Sequence, residues 1–199
     1  MSKIAIISDI HNNIVNLKKV LDFCGREKIE TIICCGDLAS LETLDFMNDN
    51  FSGNILYIFG NADYDDVRNL INEKQKECHS ELVSESQKER CRNKFGMTVK
   101  YKNAYLFPDF GEAVIEKKNV AFVHYPDKAK GLARSGKYDF VFYGHTHKPW
   151  IEKMKADANQ KECTLLNPGT TAGEIYPPTF AVWETEHDKF DLIRIHELK

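Results

Sequence analysis

Short apolar runs rich in Ile recur along the first third of the chain, and each stops on a carboxylate, an amide or an imidazole. "KIAIISD" at 3–9, "TIICCGD" at 31–37 and "NILYIFGNAD" at 54–63 share this plan. Unbroken β-branched runs bounded by turn residues read as strands covered on both faces. After the first run, Ile14, Val15, Leu17, Val20, Leu21 and Phe23 recur at helical spacing, with Asn12 or Asn13 placed to cap the helix. Strand, polar loop and helix in alternation predict βαβ units.

Residues 72–94 break this rhythm. They are almost wholly charged or polar, with Leu82 and Val83 as the only aliphatic side chains, and such a stretch buries little. It reads as a polar insertion within a single domain: a lid, an oligomer contact or an inert extension. Beyond it, "AVIEKKNVAFVHYP" predicts a hairpin turning at Lys117, Lys118 and Asn119, and "DKAKGLARSGKYD" a short helix and loop leading to "FVFYGHTHKPW". The last third, with "WIEKMK", "CTLLNPG", "TFAVWETE" and "FDLIRIHEL", is strand-rich and should be mainly antiparallel.

Composition narrows the class. At 199 residues the chain falls in the one-domain range and is long enough to bury a core. A hydrophobic content of 42%, a charged content of 29% and a net charge of −3 describe an ordinary soluble protein, with no basic patch to advertise a nucleic-acid partner. The N-terminus lacks the features of a secretory signal and no apolar run reaches membrane-spanning length, so the cytoplasm is the expected compartment. In that compartment the six irregularly spaced cysteines are expected to be free thiols, with Cys34 and Cys35 buried as small hydrophobes.

The polar residues that end the apolar runs are Asp9 and His11, Asp37, Asn61 with Asp63, His124, and His145 with His147. Each alone has a plain reading. Asp9 could cap a helix, Gly36-Asp37 and Asn61 could be turn residues, and His124 could be a satisfied core histidine. Together they are oxygen and imidazole donors at the carboxyl ends of strands, where open α/β sheets place their sites. Four of the seven histidines fall in this set, whereas His79, His187 and His196 have no such company. The donors outnumber what one divalent ion takes, and two ions sharing one carboxylate fit the count. Such a pair can clamp a phosphoryl group and lower the pKa of water.

Asp-x-His at 9–11, Gly-Asp at 36–37, Gly-Asn-x-Asp at 60–63, His124 and Gly-His-Thr-His at 144–147 occur in the order of the calcineurin-like metallophosphoesterase superfamily. The chain resembles its small bacterial and archaeal phosphodiesterases, and Leu-Asn-Pro-Gly at 166–169 resembles their ending. The resemblance implies an α/β, four-layer α/β/β/α sandwich of two mixed β-sheets flanked by helices. It implies two divalent metal ions, manganese foremost, with iron, zinc, nickel or cobalt as alternatives. Asp9, His11 and His147 would hold the first, Asn61, His124 and His145 the second, and Asp37 both. It further implies hydrolysis of a small phosphodiester or phosphomonoester by a bridging hydroxide, with Asp37, His11, Asn61 and Asp63 in the catalytic set. Asp63 is expected to orient a metal-bound imidazole from outside the ligand set.

Two positions depart from the pattern. Many relatives carry histidine where this chain has Ala62, and a methyl group cannot protonate a leaving oxygen; His11 or a metal-bound water is the expected substitute. Relatives commonly continue with glycine after His124, whereas here Tyr125 and Pro126 follow and are expected to add a wall to the site. The first rival reading is a non-catalytic scaffold of the same fold, as in the retromer subunit that resembles these enzymes. Scaffolds degrade the ligand set, and here all seven positions are filled. A metal-dependent nuclease is the second rival, disfavoured by the acidic charge. No membrane contact is expected, and a homo-oligomer is compatible with the composition.

Overall fold

A computed structural model describes residues 2–70, 92–93, 96–97 and 99–198. The polar stretch 72–94 therefore lies outside the described residues, apart from Arg92 and Asn93. The expected four-layer sandwich is present. The larger sheet contains β1 (Lys3–Ile7), β2 (Thr31–Cys34), β3 (Asn54–Ile58), β6 (Val99–Tyr101), β7 (Ala104–Phe107), β13 (Thr179–Glu184) and β14 (Lys189–Arg194), in the order β14-β13-β1-β2-β3-β7-β6. The smaller contains β8 (Gly111–Ile115), β9 (Lys118–Phe122), β10 (Phe140–Phe142), β11 (Trp150–Lys155) and β12 (Glu162–Asn167), in the order β11-β12-β10-β9-β8. A short ladder joins β4 (Arg92–Asn93) to β5 (Gly96–Met97).

Alternation along the central strands sorts side chains into layers. From β1, Ala5 and Ile7 face helices α1 (Ile14–Arg26) and α2 (Leu41–Asn50), where Leu17, Val20, Leu44 and Met47 complete one buried cluster. Ile4 and Ile6 face the other way, into the core between the sheets, against Phe122, Phe140, Phe142 and Trp183. The Trp183 ring stands 4.7 Å from Phe140 and 5.9 Å from Phe190. Truncating so large a buried ring typically costs about 3–5 kcal/mol. On the outer face of the smaller sheet, Ala129 and Ala133 of α3 (Pro126–Arg134) pack on Ala121, Val141 and Leu165.

The helix α1 is capped by Asn13, whose side chain accepts from Asn16 N at 3.0 Å. Residues 65–70 are helical, as the acidic pair Asp65–Asp66 suggests, and Asp66 accepts the backbone N–H of Leu41 at 3.1 Å. One expectation needs correction. The hairpin turns on Glu116 and Lys117, both at positive φ, with Ile115 paired to Lys118. That backbone is the two-residue turn matched to strand twist, and it lacks the Asn-Gly signature that would have marked it. The last third is mainly antiparallel, as expected, in the β11–β12, β13–β14 and β13–β1 pairings, whereas β10 before it runs parallel to both β9 and β12. The crossover through α3 is what makes β9 and β10 parallel.

That parallel arrangement fixes the site. The parallel strands β1, β2 and β3 of one sheet, and β9 and β10 of the other, all deliver their carboxyl-terminal loops to one place. No described helix is long and apolar enough to cross a membrane. Cys24, Cys34, Cys35 and Cys163 are free and buried, as expected. Burial pushes the Cys24 thiol up to about 12.

Candidate metal centre

The loops after these strands bring the predicted residues together as two groups. Asp9, His11 and His147 converge in one, and Asp37, His124 and His145 in the other. His147 Nε2 lies 3.2 Å from Asp9 Oδ1 and 3.3 Å from His11 Nε2. In the second group, His124 Nε2 lies 3.2 Å from Asp37 Oδ2 and 3.1 Å from Asn61 Oδ1, and His145 Nδ1 lies 2.8 Å from the same Asn61 oxygen. His145 and His147, two residues apart, thus face different groups. Asp37 Oδ2 stands between them, 3.2 Å from His124 Nε2 and 3.9 Å from His11 Nε2.

The local backbone is unusual. Asp9, His11, Asp37, His145 and His147 all take positive φ, a region that costs a non-glycine residue about 1–3 kcal/mol unless the surroundings impose it. Here they do. The backbone N–H groups of Asp9, Ile10 and His11 donate to the carbonyls of Gly36 and Asp37, stitching the β1 loop to the β2 loop. Thr170 donates its hydroxyl to the Asp9 carbonyl at 3.0 Å. Gly144 does not supply the turn before the histidines, since the positive φ angles belong to His145 and His147 themselves. It allows close approach instead: a Cβ at Gly144 would collide with Ser8 Oγ and stand 2.9 Å from Asp9 Oδ2.

Several supports lay beyond sequence reasoning. The Cys35 carbonyl sits 2.8 Å from His124 Nδ1, and a carbonyl only accepts, so that nitrogen carries the proton and Nε2 presents its lone pair to the site. Asn167, at the end of β12, donates to the Gly144 carbonyl at 2.8 Å and to Thr146 Oγ1 at 3.1 Å, bracing the loop that carries both histidines. Asn-Pro-Gly at 167–169 was the one available signal, and it indicated a turn rather than a brace.

Asp63 differs from expectation. Its carboxylate accepts the backbone N–H groups of Gly60 at 2.6 Å, Ala39 at 2.8 Å and Asp37 at 3.3 Å, and it is 5% exposed. Among the described residues it binds backbone N–H groups rather than an imidazole, and it clamps the β2 loop to the β3 loop. Arg68 reinforces the clamp by donating to the carbonyls of Asp63 and Gly60. Ala62 contributes its backbone N–H, which donates to Asp37 Oδ1 at 2.7 Å and leaves Oδ2 facing both groups.

The donor chemistry fits divalent cations. In each group a carboxylate oxygen and imidazole nitrogens converge on one point, and in the second an amide oxygen joins them, a set that borderline divalent metals accept. Carboxylate, amide and imidazole groups crowded this closely favour a positive charge among them. Burial opposes ionisation of Asp37 and is outweighed by the adjacent His124, so its carboxyl falls below the usual range. Burial lowers His124, and contact with Asp37 overrides it, leaving His124 raised. Contact with the Asp9 carboxylate raises His147.

Residues 2–188 match the calcineurin-like phosphoesterase superfamily domain. The chain belongs to this superfamily. Phosphodiesterase MJ0936 of Methanocaldococcus jannaschii is 26% identical over 189 residues, covering 94% of this chain and 96% of that protein. A solved structure of an archaeal phosphodiesterase superposes with a TM-score of 0.71 at 26% identity, covering 96% of this chain and 99% of that one. Vps29 of Chaetomium thermophilum shares the fold at 13% identity, with a TM-score of 0.58 over 97% of this chain and 95% of its own. Membership makes this calcineurin-like chain a phosphoric ester hydrolase with two candidate metal-binding groups.

Proposed function

We propose that the chain is a dinuclear phosphodiesterase, a single catalytic domain working in the cytoplasm on a small phosphoester. Asp9, His11 and His147 hold one ion, Asn61, His124 and His145 the other, and Asp37 both; manganese is the metal we favour. The observation that carries this reading is the position of Asp37 Oδ2 between the two groups, its partner oxygen being tied to the Ala62 N–H. Similarity to phosphodiesterase MJ0936 over nearly the full chain supports the substrate class.

When bound, a pair of divalent cations polarises phosphoryl oxygens and yields hydroxide from water near neutral pH. The chain's own residues supply position. Asp37 is 2% exposed, and its two oxygens are differentiated by the Ala62 N–H. His124 is held by the Cys35 carbonyl in the tautomer that leaves Nε2 free. The backbone N–H of His145 donates to both Asp9 oxygens, at 3.1 and 3.2 Å, coupling the two groups. Ala62 offers no proton to a departing oxygen, so a contribution of about 10²–10⁴ from a dedicated general acid is missing at that position. Esters with good leaving groups are therefore the better substrates.

The test pairs elemental analysis of protein purified without added metal with turnover of bis(p-nitrophenyl) phosphate and p-nitrophenyl phosphate. Two ions per chain and faster diester turnover are expected. A metal-replete protein that hydrolyses neither ester would overturn the reading.

A further inference from the structure

Tyr125 is the residue on which the site departs most visibly from a minimal ligand cage. It occupies the N-cap of α3, where serine, threonine, aspartate or asparagine would accept a helix N–H, and it makes no side-chain cap bond. The position thus forgoes helix stability. In its place stands a ring 44% exposed, with centroids 5.1 Å from both His124 and His145, meeting each near edge-to-face. Its hydroxyl has no partner among the described residues. Pro126 follows at the first helical position, and Tyr125 itself is extended at φ −87° and ψ 137°, the backbone region a following proline favours. An aromatic side chain with two rotatable bonds on such a backbone is largely pre-set, so little freedom is lost when a ligand meets it.

A local rule broken without any gain inside the fold is expected at functional positions. We propose that Tyr125 is a positioning residue that determines specificity. Its ring forms an aromatic wall beside the Asp37–His124–His145 group and stacks on a planar organic group, aryl or nucleobase-like, attached to the phosphoryl centre. This rests on the phosphodiesterase reading above and goes further in naming the substrate class. One wall of the site becomes organic and selective, whereas the metal ligands recognise only the phosphoryl oxygens. Stacking of this kind is worth roughly a tenfold change in affinity or more.

The test uses two non-hydrolysable anions that differ only in the organic group, phenylphosphonate and methylphosphonate, as competitive inhibitors of bis(p-nitrophenyl) phosphate turnover in the metal-loaded protein. Wild type should prefer phenylphosphonate by about tenfold. Tyr125→Phe should keep that preference and Tyr125→Ala should erase it, with methylphosphonate affinity, metal content and melting temperature unchanged in both variants. A preference that survives Tyr125→Ala, or is absent from wild type, would overturn the proposal. So would an equal loss of affinity for both phosphonates together with lost metal, since the ring would then be supporting the histidines. If wild type turns over no ester at all, the phosphodiesterase reading fails first, and that result is distinct from the others.

Discussion

The two ligand groups are built to different standards of support. In the Asp37–His124–His145 group, His124 is 1% exposed and locked through Nδ1 to a backbone carbonyl, Asn61 touches both imidazoles, and Asp63 ties together the loops that carry Asp37 and Asn61. In the Asp9–His11–His147 group, by contrast, His147 Nδ1 is buried with no hydrogen-bond partner among the described residues. Partners outside the ligand set fix the orientation and basicity of a metal-bound imidazole, and losing one typically costs about 10–100-fold in affinity or activity. The comparison teaches that equal ligand counts do not mean equal affinity, and that the His124 group should hold its ion more tightly.

The largest effects come from removing one ligand of each group. His124→Ala and His147→Ala should each lower turnover by at least about 100-fold and each leave one ion per chain. The ion remaining in His147→Ala should resist a competing chelator better than the ion remaining in His124→Ala. Equal resistance would erase the distinction between the groups. A smaller and more selective effect is expected of Asp63→Asn, which sets an amide nitrogen against backbone N–H donors. About a tenfold loss of affinity should fall on the His124 group, with a smaller loss at the other group, which shares Asp37. Equal weakening of both would make Asp63 a general support of the fold rather than a clamp on one group.

Much of the architecture was readable from side-chain order. Ile4 to Ile7 and Thr31 to Cys34 read as strands covered on both faces, because β-branched residues without polar interruption fit little else. The ligand residues could be picked out because each follows such a run. What stayed hidden depends on backbone conformation and on contacts distant in sequence. Nothing in the letters Asp9, Asp37 or His147 reveals a positive φ, which is imposed by hydrogen bonds between loops. Asp63 was expected to orient an imidazole, but the folded β2 loop offers it backbone donors. Tyr125 was recognised as a wall from its place after His124, yet its contact with His145 needs the two loops to meet in space.

The shared carboxylate is the claim on which the whole account depends, and Asp37→Asn addresses it most directly. Metal content and hydrolysis of bis(p-nitrophenyl) phosphate should be measured on the variant and the wild type after saturation with manganese. The account predicts two ions in wild type, weakened binding at both groups in the variant, and a loss of turnover beyond about 1000-fold. Two tightly held ions with near-normal turnover in Asp37→Asn would contradict it.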